Sequence, residues 1–256
     1  MRLTILGSGT CIPDATRLPS GYWLEVGEAQ IRMDVGPGTV YATTRYPHLD
    51  WRAQTHQLLS HFHVDHIGDV ATLMFAFKYG RKPTPRGPLT FVGPHGLTQH
   101  LERIAAALEP KLFQQEFAVE FLEVADGESH EVAEGVTLRA LKVPHTPESL
   151  AYRVEEMTTG ASLGYTGDTS PDLERLPAFV RELDVLIAEC AHEHETSTPH
   201  LTIRDVQRLA EEAKPKRLIT VHHFFDSTQA NVAATLAAEL PGVEVQAGHD
   251  GLVVEV

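Results

Sequence analysis

The chain has 256 residues, 42% hydrophobic and 22% charged, the balance of an ordinary globular protein able to bury a substantial core. Its 35 acidic and 21 basic residues give a formal net charge of −14, which excludes a general attraction for polyanions and any large nucleic-acid surface. No apolar run approaches the ~20 residues that cross a membrane, and two distant cysteines do not make a disulfide framework.

In chain order, residues 2–6, 21–26, 30–35 and 56–59 read as strands, each a short apolar or alternating run closed by a polar or glycine-containing break. The start reads as a strand and not as a secretory signal, so a cytoplasmic location is expected. A helix is expected over 69–78, then the irregular connector 83–88, a strand over 89–92 and a helix over 94–108. Strands follow at 119–122, 136–140, 151–154, 162–165, 185–188 and 217–221. Helices are expected over 203–213, with Thr202 as its cap and Asp205 in its first turn, and over 227–240. Three strands, a helix-bearing unit and another strand occur in each half. That order fits one domain over 1–256, of the α/β (α+β) class: two mixed sheets with outer helices, an αββα sandwich.

Between the strand 56–59 and the helix 69–78 stands Ser60-His61-Phe62-His63-Val64-Asp65-His66. Imidazole nitrogens and a carboxylate suit a borderline divalent ion such as zinc. If the segment runs from a strand end through a loop into a helix, His61 and His63 share one side. Asp65 and His66 then come round to a second position close by. One motif can thus seed two adjacent metal sites. Three later residues each follow a β-like run: His145, Asp168 and His222. Loops at such strand ends are where sheet-based enzymes concentrate their chemistry. His223 is the alternative to His222, and the alignment with the strand 217–221 favours His222.

The series H-x-H-x-D-H, then His145, then Asp168 in Tyr165-Thr166-Gly167-Asp168-Thr169, then His222 resembles the dinuclear members of the metallo-β-lactamase superfamily over nearly the whole chain. The resemblance implies one cation on His61, His63 and His145, a second on Asp65, His66 and His222, and Asp168 bridging them. Zinc is the first expectation for both, with manganese or iron as alternatives. The opening Leu6-Gly7-Ser8-Gly9-Thr10, the pair Glu189 and His200-Leu201-Thr202, and the close Gly248-His249-Asp250-Gly251 are similar to the RNase Z-like and phosphodiesterase branch. In that branch a Glu and a His assist catalysis. The resemblance therefore implies that Asp65 orients the nucleophile and that His200 contacts a non-bridging oxygen or protonates the leaving alkoxide. Glu189 is expected to fix the tautomer of His200 and raise its proton affinity.

RNase Z itself carries a tRNA-gripping arm between the residues matching His145 and Asp168. Here those two stand 23 positions apart, room for two strands and a turn only. The expected substrate is accordingly a small phosphodiester or an RNA end. A lactone or thioester hydrolase on the same metals is the second reading, and a metal-stabilised sensing or interaction module the third. Lys78, Arg81, Lys82 and Arg86 form a basic stretch that could line the site, although a solvated loop is the simpler reading. His192 and His194 lie in the polar loop before His200 and could recruit an extra ion, a weak signal without a fixed spacing. The resemblance also suggests a homodimer.

Overall fold

The computed structural model describes residues 1–80, 87–172, 174–194, 197–224 and 229–256. The first sheet contains β1 (Arg2–Gly7), β2 (Gly21–Val26), β3 (Ala29–Met33), β4 (His56–Leu58), β5 (Leu89–Gly93), β6 (Val119–Glu123) and the C-terminal β14 (Val253–Glu255), in the order β14-β1-β2-β3-β4-β5-β6. The second contains β7 (Ser129–Ala133), β8 (Val136–Lys142), β9 (Leu150–Glu156), β10 (Ser162–Tyr165), β11 (Val185–Glu189), β12 (Arg217–Val221) and β13 (Glu244–Ala247), in the order β13-β12-β11-β10-β9-β8-β7. Both sheets are mixed in the same way. β14 to β3 and β7 to β10 pair antiparallel, whereas β3 to β6 and β10 to β13 pair parallel.

Alternation along the strands separates the layers. Ile31 and Met33 of β3 face the second sheet, where they meet Leu138, Tyr152, Leu163, Ile187 and Ile219. Leu186 and Leu218 turn the other way, onto α5 (Leu176–Phe179), α6 (Ile203–Ala213) and α7 (Gln229–Glu239). Phe91 likewise turns outward, onto α3 (Val70–Tyr79) and α4 (Leu97–Leu108). The result is the expected four-layer αββα sandwich. Two further short helices are α1 (Thr39–Thr43), which lies against β1, and α2 (Val64–Ile67), which follows the end of β4.

Thr202 caps α6 as expected. Its Oγ1 accepts from Asp205 N at 3.2 Å, and Asp205 Oδ2 accepts from Thr202 N at 3.0 Å, a reciprocal capping box. Helix α4 begins at Leu97, three residues later than expected, because Gly96 sits at φ 91° and breaks the helix there. The strands β7, β13 and β14 and the helices α1, α2 and α5 were not expected. The strands are short, marginal ones and the helices are four or five residues long, too brief for a periodic signal. The beginning of the helix expected over 227–240 and most of the connector 83–88 lie outside the described residues. Among the described residues, no helix is long and apolar enough to cross a membrane. The interval from His145 to Asp168 holds β9, a turn and β10, and no arm.

Candidate metal centre

The C-terminal ends of strands from both sheets converge on one edge of the sandwich. β4 delivers Ser60 and His61; β8 leads to His145; β10 leads to Asp168; β11 ends on Glu189; and β12 leads to His222. His63 stands at the N-cap of α2, and that helix carries Asp65 and His66. The seat of α2 is tight. A Cβ on Gly36 would lie 2.2 Å from the Asp65 carbonyl oxygen, so only glycine lets this loop pass.

All seven residues expected to ligate metal meet here. His61, His63, His145 and Asp168 offer ligand atoms within 4.8 Å of one another, as do Asp65, His66 and His222. Asp168 Oδ2 is the hub. It lies 3.9 Å from His61 Nε2, 3.2 Å from His66 Nε2, 3.9 Å from His145 Nε2 and 3.4 Å from His222 Nε2. Asp65 Oδ2 lies 3.4 Å from His222 Nε2 and 3.7 Å from His66 Nε2. His145 Nε2 and His63 Nδ1 are 3.2 Å apart.

Burial is near complete for His61, Asp65, His66, Asp168 and His222, whereas His63 is exposed and His145 half-buried. Burial alone would push Asp168 up, but the His222 and His66 imidazoles hold its carboxyl well below the ordinary carboxylate range. Burial pushes His61 far down, so its ring is neutral. Burial opposes a charge on His66 as well, but Asp168 and Asp34 outweigh it and raise that ring well above its usual value.

The donor set fits a divalent cation. The Nε2 atoms of His61 and His66 are buried without a hydrogen bond, although both face the Asp168 carboxylate. Such orphaned atoms are costly unless something binds them. Imidazole nitrogens with carboxylate oxygens are the mixed donors that zinc and its neighbours accept.

Asp34, the residue after β3, was not anticipated. Fully buried at φ 52°, its carboxylate accepts from Ser60 N at 2.8 Å, Ser60 Oγ at 2.7 Å and Tyr165 OH at 2.7 Å. It also pairs with His66 Nδ1 at 2.7 Å. The last contact places the Nδ1 proton of His66 on the carboxylate side and leaves Nε2 to the centre. Its only sequence signal was a carboxylate closing an apolar strand.

His200 Nδ1 lies 3.0 Å and 3.2 Å from the two oxygens of Glu189, itself fixed by Thr169 N at 2.5 Å. The same nitrogen is 4.0 Å from Asp168 Oδ2, so the pair borders the cluster as expected. The expected rise in the proton affinity of His200 is not found: burial lowers it, and Asp168 and Asp65 only partly compensate. Burial, with Asp168 nearby, raises Glu189 well above the carboxylate range. The two contacts with Glu189 fix the orientation of the His200 ring. Asp168, His200 and His222 also lie close enough to form a third ligand group.

Among the described residues, His223 is buried and joins none of these groups, whereas His222 joins two. His192 Nε2 is 2.6 Å from Thr198 Oγ1, and neither His192 nor His194 joins a ligand group among the described residues. Lys78 bonds the Lys111 carbonyl and lies 4.0 Å from Glu109, so it braces α3 against the end of α4. Arg81, Lys82 and Arg86 lie outside the described residues.

Ribonuclease Z of Mycobacterium sp. (strain KMS) is 26% identical over 279 residues, covering 100% of this chain and 96% of its own. The crystal structure of the metallo-β-lactamase fold protein YhfI from Bacillus subtilis superposes with a TM-score of 0.84 at 22% identity, covering 100% of this chain and 98% of that one. A diphosphatase from the PhnP family superposes with a TM-score of 0.75 at 22% identity, covering 100% and 97%. The family described as "Beta-lactamase superfamily domain" matches residues 33–223, from the end of β3 to His223, and the chain belongs to that superfamily, in its metallo-β-lactamase fold.

Proposed function

We propose that the protein is a metal-dependent hydrolase, and specifically a dinuclear zinc phosphodiesterase of the RNase Z-like type that acts on small phosphodiesters or RNA ends. The observation that carries this reading is the Glu189–His200 pair, hydrogen-bonded at 3.0 Å on the border of a seven-residue ligand cluster. In the assignment we adopt, His61, His63 and His145 hold one cation and Asp65, His66 and His222 the other, with Asp168 shared. When bound, such a pair of cations acidifies water towards neutrality and polarises a phosphoryl oxygen.

The chain's own residues supply the rest. Asp65 aligns the nucleophile. His200 gives the leaving oxygen its Nε2 proton and takes one at Nδ1 from Glu189, whose carboxyl burial keeps protonated and which holds the ring in the required orientation. A general acid is of most use with a poor leaving group such as an alkoxide, so the pair favours phosphodiesters over thioesters, whose thiolate leaves readily. The ribonuclease Z relative and the diphosphatase of the same fold support a phosphoester substrate. With no arm between β9 and β10 and a net charge of −14, a small diester or an RNA end fits better than a whole tRNA.

Parallel turnover assays on a methyl aryl phosphodiester, an acyl-homoserine lactone and an acyl thioester, with zinc supplied, test the proposal. Phosphodiester cleavage without lactone or thioester opening is expected. The reverse preference would overturn it.

A further inference from the structure

His222 differs from the other enclosed imidazoles of the centre in what orients it. His61, His66 and His145 are each held through Nδ1, by Ser60 Oγ at 3.0 Å, Asp34 Oδ2 at 2.7 Å and the Pro199 carbonyl at 2.9 Å. Among the described residues, His222 Nδ1 is buried and has no hydrogen-bond partner. The aim of its Nε2 at Asp65 and Asp168, each 3.4 Å away, is therefore set by its backbone and by the packing of the ring on His200 and Phe224, with centroids 5.4 Å and 5.3 Å away. That backbone lies in the left-handed region, at φ 59°, where a histidine is uncommon and needs support. The support is the Ser8 carbonyl, which accepts from His222 N at 2.9 Å.

Ser8 is held in turn from the far end of the chain. Asp250, in the turn between β13 and β14, accepts from Ser8 N and Ser8 Oγ through Oδ1, both at 2.9 Å. Its Oδ2 accepts from Leu18 N at 2.8 Å, and Leu18 O accepts from Gly9 N at 2.7 Å. The turn is fastened on both sides. Gly248 N donates to Thr220 O of β12 at 2.8 Å, and Gly251 N donates to Ile5 O of β1 at 2.8 Å. Gly251 is at φ 89°, and a Cβ there would press on Tyr46 at 3.2 Å, so the turn admits little other than glycine.

We infer that Asp250 is a positioning residue for the metal centre. Through Ser8 it fixes the backbone of His222, and with it the Asp65–His66–His222 group. The inference rests on the two-cation reading above. Asp250 is not a member of the ligand cluster; among the described residues no hydrogen bond holds His222 at Nδ1, so the geometry of that half of the centre depends on this chain of bonds together with the ring's packing on His200 and Phe224.

Four variants separate this role from plain stability. Asp250→Ala removes all three acceptor contacts. Asp250→Asn can keep an oxygen towards Ser8 but turns an amide N–H against Leu18 N. Ser8→Ala keeps the Ser8 N–H and carbonyl. Leu236→Ala loosens α7 on the outer face of the second sheet, away from the bond chain. The readout is zinc bound per folded chain across a chelator-buffered zinc series, with circular dichroism to confirm folding.

Wild type is expected to take two ions. In Asp250→Ala one ion weakens about 10–100-fold while the other keeps its affinity. Asp250→Asn shows a smaller loss of the same ion and is read alone if the alanine variant does not fold. Ser8→Ala, which loses one of the two Ser8–Asp250 bonds, weakens the same ion less than Asp250→Ala does, and Leu236→Ala keeps both affinities. Folded Asp250 variants that hold both ions as wild type does would overturn the inference, as would a Leu236→Ala that loses the same ion. Wild type that takes up fewer than two ions overturns the two-cation reading instead, before any variant is compared.

Discussion

Replacing Asp34 should be the most damaging single change near the centre that removes no ligand. The carboxylate is fully buried and serves Ser60 N, Ser60 Oγ, Tyr165 OH and His66 Nδ1, all within 2.7–2.8 Å. Alanine would strand four donors. Two can be re-satisfied locally: Ser60 Oγ already lies 3.0 Å from His61 Nδ1, and Tyr165 packs 4.9 Å from Tyr22, whose hydroxyl has no partner. Two stranded donors at ~1–3 kcal/mol each, and ~1 kcal/mol for alanine at positive φ, give a loss of about 3–7 kcal/mol. That is comparable to the whole net stability of many domains, ~5–15 kcal/mol. Asp34→Asn keeps one acceptor oxygen and tolerates φ 52°, so its loss should be about half as large. Urea unfolding in EDTA, followed by tryptophan fluorescence, measures both. An Asp34→Ala protein within about 1 kcal/mol of wild type would refute the claim that this carboxylate organises the centre.

His200→Ala should keep its metal but lose about 10²–10⁴-fold in turnover, more with alkoxide leaving groups than with p-nitrophenolate. Loss of metal would make His200 a ligand, as its proximity to Asp168 and His222 allows. Cys11 is exposed and Cys190 buried, and burial pushes the Cys190 thiol far up. One thiol per native chain should react with an aromatic disulfide reagent and two in guanidinium; two rapid equivalents in the native protein would contradict that burial. Thr202→Ala removes half of the capping box on α6 and should cost about 1 kcal/mol in thermal or urea unfolding. An unchanged midpoint would show that packing alone holds that helix.

The ligand cluster was legible because each of its residues follows a strand that its own apolar run announces. Ser60 to His66 after β4, and His222 after β12, are read from neighbours in sequence. The supports were not legible for the opposite reason. Asp34 meets partners 26, 32 and 131 positions away, and Asp250 meets Ser8 at a separation of 242, so only the folded chain brings them together. Glu244–Ala247 and Val253–Glu255 escaped notice because a strand with a neighbour on one side only, and largely open to water, needs neither an apolar run nor a clean alternation. The contact of Glu189 with His200 was legible in the motif, but the lowered proton affinity of His200 was not, because burial is a property of the assembled site.

The most direct test of the central claim is steady-state hydrolysis of bis(p-nitrophenyl) phosphate by protein stripped with a chelator and then titrated with zinc or manganese. The account predicts no turnover in the stripped protein and activity that saturates near two ions per chain. Turnover that survives stripping, or a folded chain that carries two zinc ions and cleaves no phosphodiester, would contradict it.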